Sequence, residues 1–175
     1  MYQDTLDHFA AVAEKKAAVL KNHAPSFWIG AMMAGAYVGL GIILIFSIGG
    51  AIDPALRKLV MGATFGIALT LVVFAGSELF TGHTMIMTLG WLRRRTGLKD
   101  LARVWPTAWA GNLAGSALLA GIFVVGGGGG AATLDLINSA AAAKMGKSAS
   151  ELFALGVLCN WLVCLALWMA ARVTS

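Results

Sequence analysis

Charged side chains are scarce: Asp, Glu, Lys and Arg together make up 12% of the 175 residues, against about 25% in soluble globular domains. Hydrophobic residues reach 59% before glycine is added, and the mean hydropathy is +0.80. Such a chain cannot cover a water-facing surface with polar groups. That excludes a soluble enzyme, a disordered segment and a collagen-like chain, and leaves an integral membrane protein. Cysteine is nearly absent: Cys159 and Cys164 lie five apart on what reads as one helix, hence on different faces. Neither a disulfide framework nor a Cys-x-x-Cys metal or redox site is available. Residues 1–23 have no apolar core ahead of a cleavage site and so do not resemble a signal peptide. With no metal cluster, nucleophile–base pair or cofactor motif in view, no catalytic residue, metal or cofactor is expected.

What the chain does have is apolar length. Crossing about 30 Å of hydrocarbon takes about 20 helical residues. Four stretches suffice: Phe27 to Ile48, Leu59 to Leu92, Val104 to Val125 and Leu152 to Ala171. Gly49-Gly50 with Asp53-Pro54, an arginine run and the Gly126 to Gly130 run separate them. The net charge of +5 is concentrated in one short connection, Arg93, Arg94, Arg95, Lys99 and Arg103 against Asp100. This reads as a positive-inside loop and not as a nucleic-acid surface.

Leu6, Phe9, Ala13, Ala17 and Leu20 recur at helical spacing among charges. They predict an amphipathic helix at the cytoplasmic face. The chain therefore divides into that helix over 1–24 and an all-α transmembrane domain over 25–175. The N-terminus and Arg172 fall inside, and the connections Ala51 to Lys58 and Gly126 to Ser150 fall outside. Trp28, Trp91, Trp105 and Trp168 sit near span ends, where indole prefers the headgroup layer. Three Gly-x-x-x-Gly pairs, Gly35/Gly39, Gly62/Gly66 and Gly111/Gly115, are spaced for close helix contact.

The second stretch is interrupted by a polar island from Ala75 to Thr84 that holds Gly76, Ser77, Glu78, Thr81, Gly82 and His83. A straight helix from Leu59 to Leu92 would be about 50 Å long at 1.5 Å per residue, far more than a bilayer requires. A broken helix with an irregular loop at membrane depth is expected, tolerated only where protein or a wet cavity surrounds it. Glu78 is the one acidic residue within a span, and such a carboxylate costs at least about 2.5 kcal/mol at the bilayer centre. It reads as a brace accepting bonds from freed backbone N–H groups, or else as a proton relay. Phe65 and Leu69 lie one turn apart, and with Leu79 and Phe80 they read either as apolar constrictions or as ordinary packing. His83 is a hydrogen-bonding residue on the cytoplasmic side or a loop residue. In the fourth span Gly156, Asn160 and Cys164 share one face. Asn160 is helix–helix glue or a pore-lining donor, Lys144 an outer anion lure or a solvated lysine, and Asn112 interhelical glue.

The runs Gly76 to Gly82 and Gly156 to Cys164 resemble the two signatures of the formate/nitrite transporter family, and Gly35 to Gly41 looks like its first span. The chain is most similar to the bacterial nitrite channels. The resemblance implies an aquaporin-like subunit of six spans in two inverted repeats, assembled as a homopentamer in the bacterial inner membrane and passing nitrite or formate. It places Leu79, Phe80 and Thr81 in the pore loop, with Gly76, Glu78 and Gly82 as its structural residues. Phe65, Leu69 and Val163 fall at the constrictions, Asn160 on the pore side and Lys144 outside the fourth span. Up to Ser175 the pattern provides one repeat and a fourth span. A fifth span, a second broken helix with a central histidine and a sixth span are absent, so truncation is the expectation. None of His8, His23 or His83 takes that histidine's role. The competing reading is a non-transporting helical scaffold or inactive fragment that assembles through its glycine faces.

Overall fold

The computed structural model describes residues 2–173; Met1, Thr174 and Ser175, at the outer limits of the two expected units, lie outside the described residues. Among the described residues eight helices follow one another: α1 (Gln3–Asn22), α2 (Ala24–Ala51), α3 (Pro54–Thr64), α4 (Gly66–Ala75), α5 (Phe80–Leu92), α6 (Leu98–Val125), α7 (Ala131–Met145) and α8 (Ala149–Val173). By length and composition α2, α6, α8 and the segment Pro54–Ala75 can each cross a bilayer. At 13 residues, α5 is about 20 Å long and cannot.

The tightest contact is the crossing of α2 with α6, and glycine makes it possible. A Cβ at Gly35 would run into the Asn112 backbone, one at Gly115 into the Met32 backbone, and one at Gly111 into Ala31. Backbones in such contact gain van der Waals packing where lipid offers no hydrophobic drive. The Ser116 hydroxyl adds a bond to the Gly35 carbonyl at 3.0 Å. Two of the three glycine pairs are therefore used within the chain. At Gly62 and Gly66 an added Cβ meets nothing within 4 Å. Gly115→Ala is expected to destabilise the detergent-solubilised protein by about 1–3 kcal/mol through overpacking against backbone. Gly62→Ala should leave the unfolding midpoint unchanged or raise it, since alanine favours helix at an unobstructed site.

The apolar stripe of α1 is turned toward protein. Phe9, Ala10 and Ala13 are buried, the Phe9 ring stacks on Trp168 with centroids 5.8 Å apart, and Ala13 packs on Gly90. Phe27, Met87 and Val104 complete a core that joins α1, α2, α5 and α6. Outside it, Arg93 reaches Asp7 at 2.8 Å and Gln3 at 2.5 Å, and Arg95 reaches Glu14 at 3.4 Å. Two of the five cations of the basic connection thus fasten α1.

Three features depart from the sequence expectation. The second stretch also has a slight irregularity at Phe65, between α3 and α4, where the backbone stays right-handed and its N–H still donates to the Met61 carbonyl at 3.1 Å while the Thr64 hydroxyl bonds to the Val60 carbonyl at 2.8 Å. The main break is Gly76 to Leu79 rather than Ala75 to Thr84, so Phe80, Thr81, Gly82 and His83 are helical. Finally, the connection after the third span contains a helix, α7. Gly127, Gly128, Gly129 and Gly130 all take positive φ (98°, 63°, 75° and 89°) and turn the chain. The alanine-rich run that follows has high helix propensity, and its Thr133 is buried against Gly50.

Candidate functional site

The break begins as a helix stop written in local chemistry. Gly76 adopts φ +70° beyond the end of α4. Its N–H donates to the Val73 carbonyl at 3.3 Å while the Ser77 N–H donates to Val72 at 3.2 Å. This paired closure is the Schellman arrangement, which favours glycine at this position. The chain then extends, with Leu79 at φ −85°, ψ 124°.

Unwound backbone at this depth needs partners, and neighbouring spans supply them. The Glu78 N–H donates to the Gly30 carbonyl at 3.1 Å. Asn112 on α6 holds both sides of the gap: its Nδ2 donates to the Glu78 carbonyl at 2.9 Å and the Ala31 carbonyl at 2.8 Å, and its Oδ1 accepts from the Phe80 N–H at 2.9 Å. That one amide caps α5, which has no side-chain cap of its own, and explains why helix resumes as early as Phe80. The Thr84 and Thr88 hydroxyls bond back to the Thr81 and Thr84 carbonyls, a habit compatible with helix.

Among the described residues the Glu78 side chain accepts no backbone N–H; its charge is met by side chains instead. The Lys16 ammonium on α1 lies 2.6 Å from Oε1, and His83 Nε2 lies 2.9 Å from Oε2. Glu78 and His83 are 8% and 2% exposed, so this cluster sits in low dielectric where partners are required. The Phe27 ring stacks on His83 at 5.7 Å, and Trp105 donates to the His83 carbonyl at 3.2 Å. Gly30 makes room, since a Cβ there would stand 3.0 Å from the Glu78 side chain. Lys16 and Gly30 escaped the sequence reading because the first lies on a helix assigned to the membrane surface and the second inside an unbroken apolar run.

On the other side of the break lies a row of cavities. The first, of about 350 Å³, is lined by Val38, Phe65, Leu69, Leu79, Thr81 and Val163 among others, with Cys159 at one edge. The second, of about 450 Å³, is lined by Phe80, Thr81, Thr84, Gly156, Cys159 and Asn160. The third, of about 270 Å³, takes in Thr84, Met85, Thr88, Asn160 and Cys164. Thr81 and Cys159 border the first two, and Thr84 and Asn160 the last two, so the spaces run consecutively along α5 and α8. Asn160 donates to the Thr84 hydroxyl at 2.8 Å while also lining this row. Gly82 is not part of the row; it faces Leu167 on α8. Lys144 lies apart, exposed in the last turn of α7. Glu78 is absent from the cavity walls.

A bundle of apolar spans with one helix interrupted beside a chain of membrane-depth cavities is the architecture of a channel-type integral membrane protein. The sequence profile described as "Formate/nitrite transporter" matches residues 3–175, and the chain belongs to that family. It is 51% identical to the nitrite transporter NirC of Salmonella typhimurium over 98% of this chain and 64% of that protein. Identity to NirC of Escherichia coli is 50% over 98% of this chain and 65% of that one. A solved structure of an "FNT family ion channel" superposes with a TM-score of 0.93 at 50% identity, covering 97% of this chain and 69% of the other. The chain thus spans just under two thirds of the length of the NirC proteins it matches.

Proposed function

We propose that this chain forms the greater part of a nitrite channel subunit, open also to small monovalent anions of similar size such as formate. The observation that carries the reading is the first cavity, where Phe65 and Leu69, Leu79, and Val163, from three separate parts of the sequence, converge on one space next to unwound backbone. Its walls are almost wholly apolar, which a bare anion enters only at heavy desolvation cost. A protonated, neutral acid avoids most of that cost. Thr81, at the positive end of α5, offers a hydroxyl to such a guest, and Asn160 an amide one cavity further on. Keeping Glu78 paired and out of the walls removes the one buried negative charge that would repel an anion. Lys144 is the outer attractor.

The same reading makes the subunit one of a homopentamer in the bacterial inner membrane, N-terminus inside. The exposed apolar faces of α8, with Phe153 75%, Trp161 67% and Leu162 69% exposed, suit cover by lipid or neighbouring protein. Nitrite influx into proteoliposomes tests the pathway. Leu79→Ala widens the first cavity and is expected to change the nitrite rate severalfold and to admit a bulkier monocarboxylate that wild type excludes. An unaltered rate and unaltered selectivity would remove Leu79 from the path.

A further inference from the structure

We propose that the cleft between the end of α1 and the start of α6 binds a phosphate-bearing anion, at this place the headgroup of an anionic membrane lipid. The cleft is about 220 Å³ and is lined by Ala17, Leu20 and Lys21 from one helix and Asp100, Arg103 and Val104 from the other. It shares no lining residue with the row of cavities.

Three cations at this end are matched by carboxylates, while Lys15, Arg94 and Lys99 have no ion-pair partner among the described residues but do not line the cleft. Lys16 is matched by Glu78, Arg93 by Asp7 and Arg95 by Glu14. Among the described residues the Lys21 ammonium and the Arg103 guanidinium have no hydrogen-bond or ion-pair partner, although they border the same cleft. The one carboxylate present, Asp100, is engaged by the Gly97 N–H at 2.9 Å, where it caps α6. Two free cations against one occupied carboxylate leave a site of net positive charge. The guanidinium fork matches phosphate oxygens two at a time, and the ammonium adds a point charge.

The remaining walls decide the source of the phosphate. Ala17, Leu20 and Val104 are apolar, and Leu98, at the start of α6, is 61% exposed. A hydrated inorganic phosphate gains nothing from such walls, whereas a lipid sets its headgroup between the cations and its chains along apolar surface. The volume falls below the roughly 300–1,000 Å³ of a drug-sized pocket, which suits a headgroup with its chains outside. Basic pockets between helices on the cytoplasmic side are a known form of anionic-lipid recognition.

Native mass spectrometry of the detergent-solubilised protein, with phosphatidylglycerol titrated against phosphatidylcholine, tests this. Wild type should retain one phosphatidylglycerol per chain and show clear preference over phosphatidylcholine. Each basic residue at a membrane surface is worth about fivefold in affinity, so Lys21→Gln combined with Arg103→Gln should weaken retention about twentyfold. The matched charge loss Arg94→Gln with Lys99→Gln should change it by less than about fivefold. Asp100→Asn keeps a capping oxygen and should strengthen retention, an effect of opposite sign that misfolding cannot mimic. Equal retention of the two lipids, equal loss in the two double variants, or no gain in Asp100→Asn would overturn the proposal. Displacement of the lipid by inorganic phosphate at equal concentration would assign the site to free phosphate instead.

Discussion

Asn112→Ala is expected to be among the most damaging single substitutions in this protein, lowering stability by about 2–6 kcal/mol. The loss strands two backbone groups: the Glu78 carbonyl and the Phe80 N–H, each held by this amide at 2.9 Å. A buried polar group without a partner costs about 1–3 kcal/mol, and at membrane depth no bulk water relieves it. At about 2–4 °C per kcal/mol for a chain of this size, the unfolding midpoint should fall by roughly 10 °C. Asn112→Asp should not rescue it, because a carboxylate still accepts from Phe80 but faces the Ala31 and Glu78 carbonyls with oxygen instead of N–H. Ser116→Ala, which gives up one hydroxyl bond on the same helix, serves as the mild comparison at about 1 kcal/mol. Thermal unfolding of the three variants in one detergent orders them. An Asn112→Ala midpoint no lower than that of Ser116→Ala would mean that the break does not depend on this amide.

The second large effect concerns Glu78 and Lys16, and its signature is non-additivity. Removing one partner of a mostly buried ion pair leaves an uncompensated charge and costs about 3–5 kcal/mol, whereas replacing both is often nearly neutral. Lys16→Met strands the Glu78 carboxylate with His83 as its remaining contact at 2.9 Å, so a loss of about 3 kcal/mol is expected. Lys16→Met combined with Glu78→Gln should recover most of it, giving a coupling energy of about 2 kcal/mol. The surface pair Arg95 and Glu14, more than half exposed on both sides and 3.4 Å apart, should show coupling below about 1 kcal/mol. Simple addition of the two single effects at Lys16 and Glu78 would contradict the bracing role of this pair.

Much of the framework could be read from the sequence because the bilayer imposes it. Apolar runs long enough to span are visible without any fold, and α2, α6 and α8 contain the stretches marked by hydropathy. Gly76 likewise announces the stop of α4, since a positive φ following a helix selects glycine. The far limit of the break was not legible, because it is set by Asn112, more than thirty residues later in the chain, and not by the local polarity of Thr81 to Thr84. The charge partner of Glu78 was hidden for the same reason: Lys16 reaches it only because Phe9 and Ala13 dock α1 on protein. In α7 the signal was present in the alanine run, but the glycines ahead of it outweighed it. Among the residues expected along the pathway, Phe65, Leu69, Leu79, Thr81 and Val163 border one cavity, Phe80 and Asn160 the next, and Lys144 neither.

The central claim is that nitrite, as its neutral acid, crosses through the first cavity, and filling that space is its most direct test. Gly66 borders the cavity, and a Cβ added there meets nothing within 4 Å, so Gly66→Trp starts from an unobstructed position at the cavity wall, and the unfolding midpoint checks that the packing survives. Nitrite flux into proteoliposomes of this variant is predicted to fall to the level of protein-free vesicles while its unfolding midpoint stays within a few degrees of wild type. Undiminished flux through the folded variant would contradict the account.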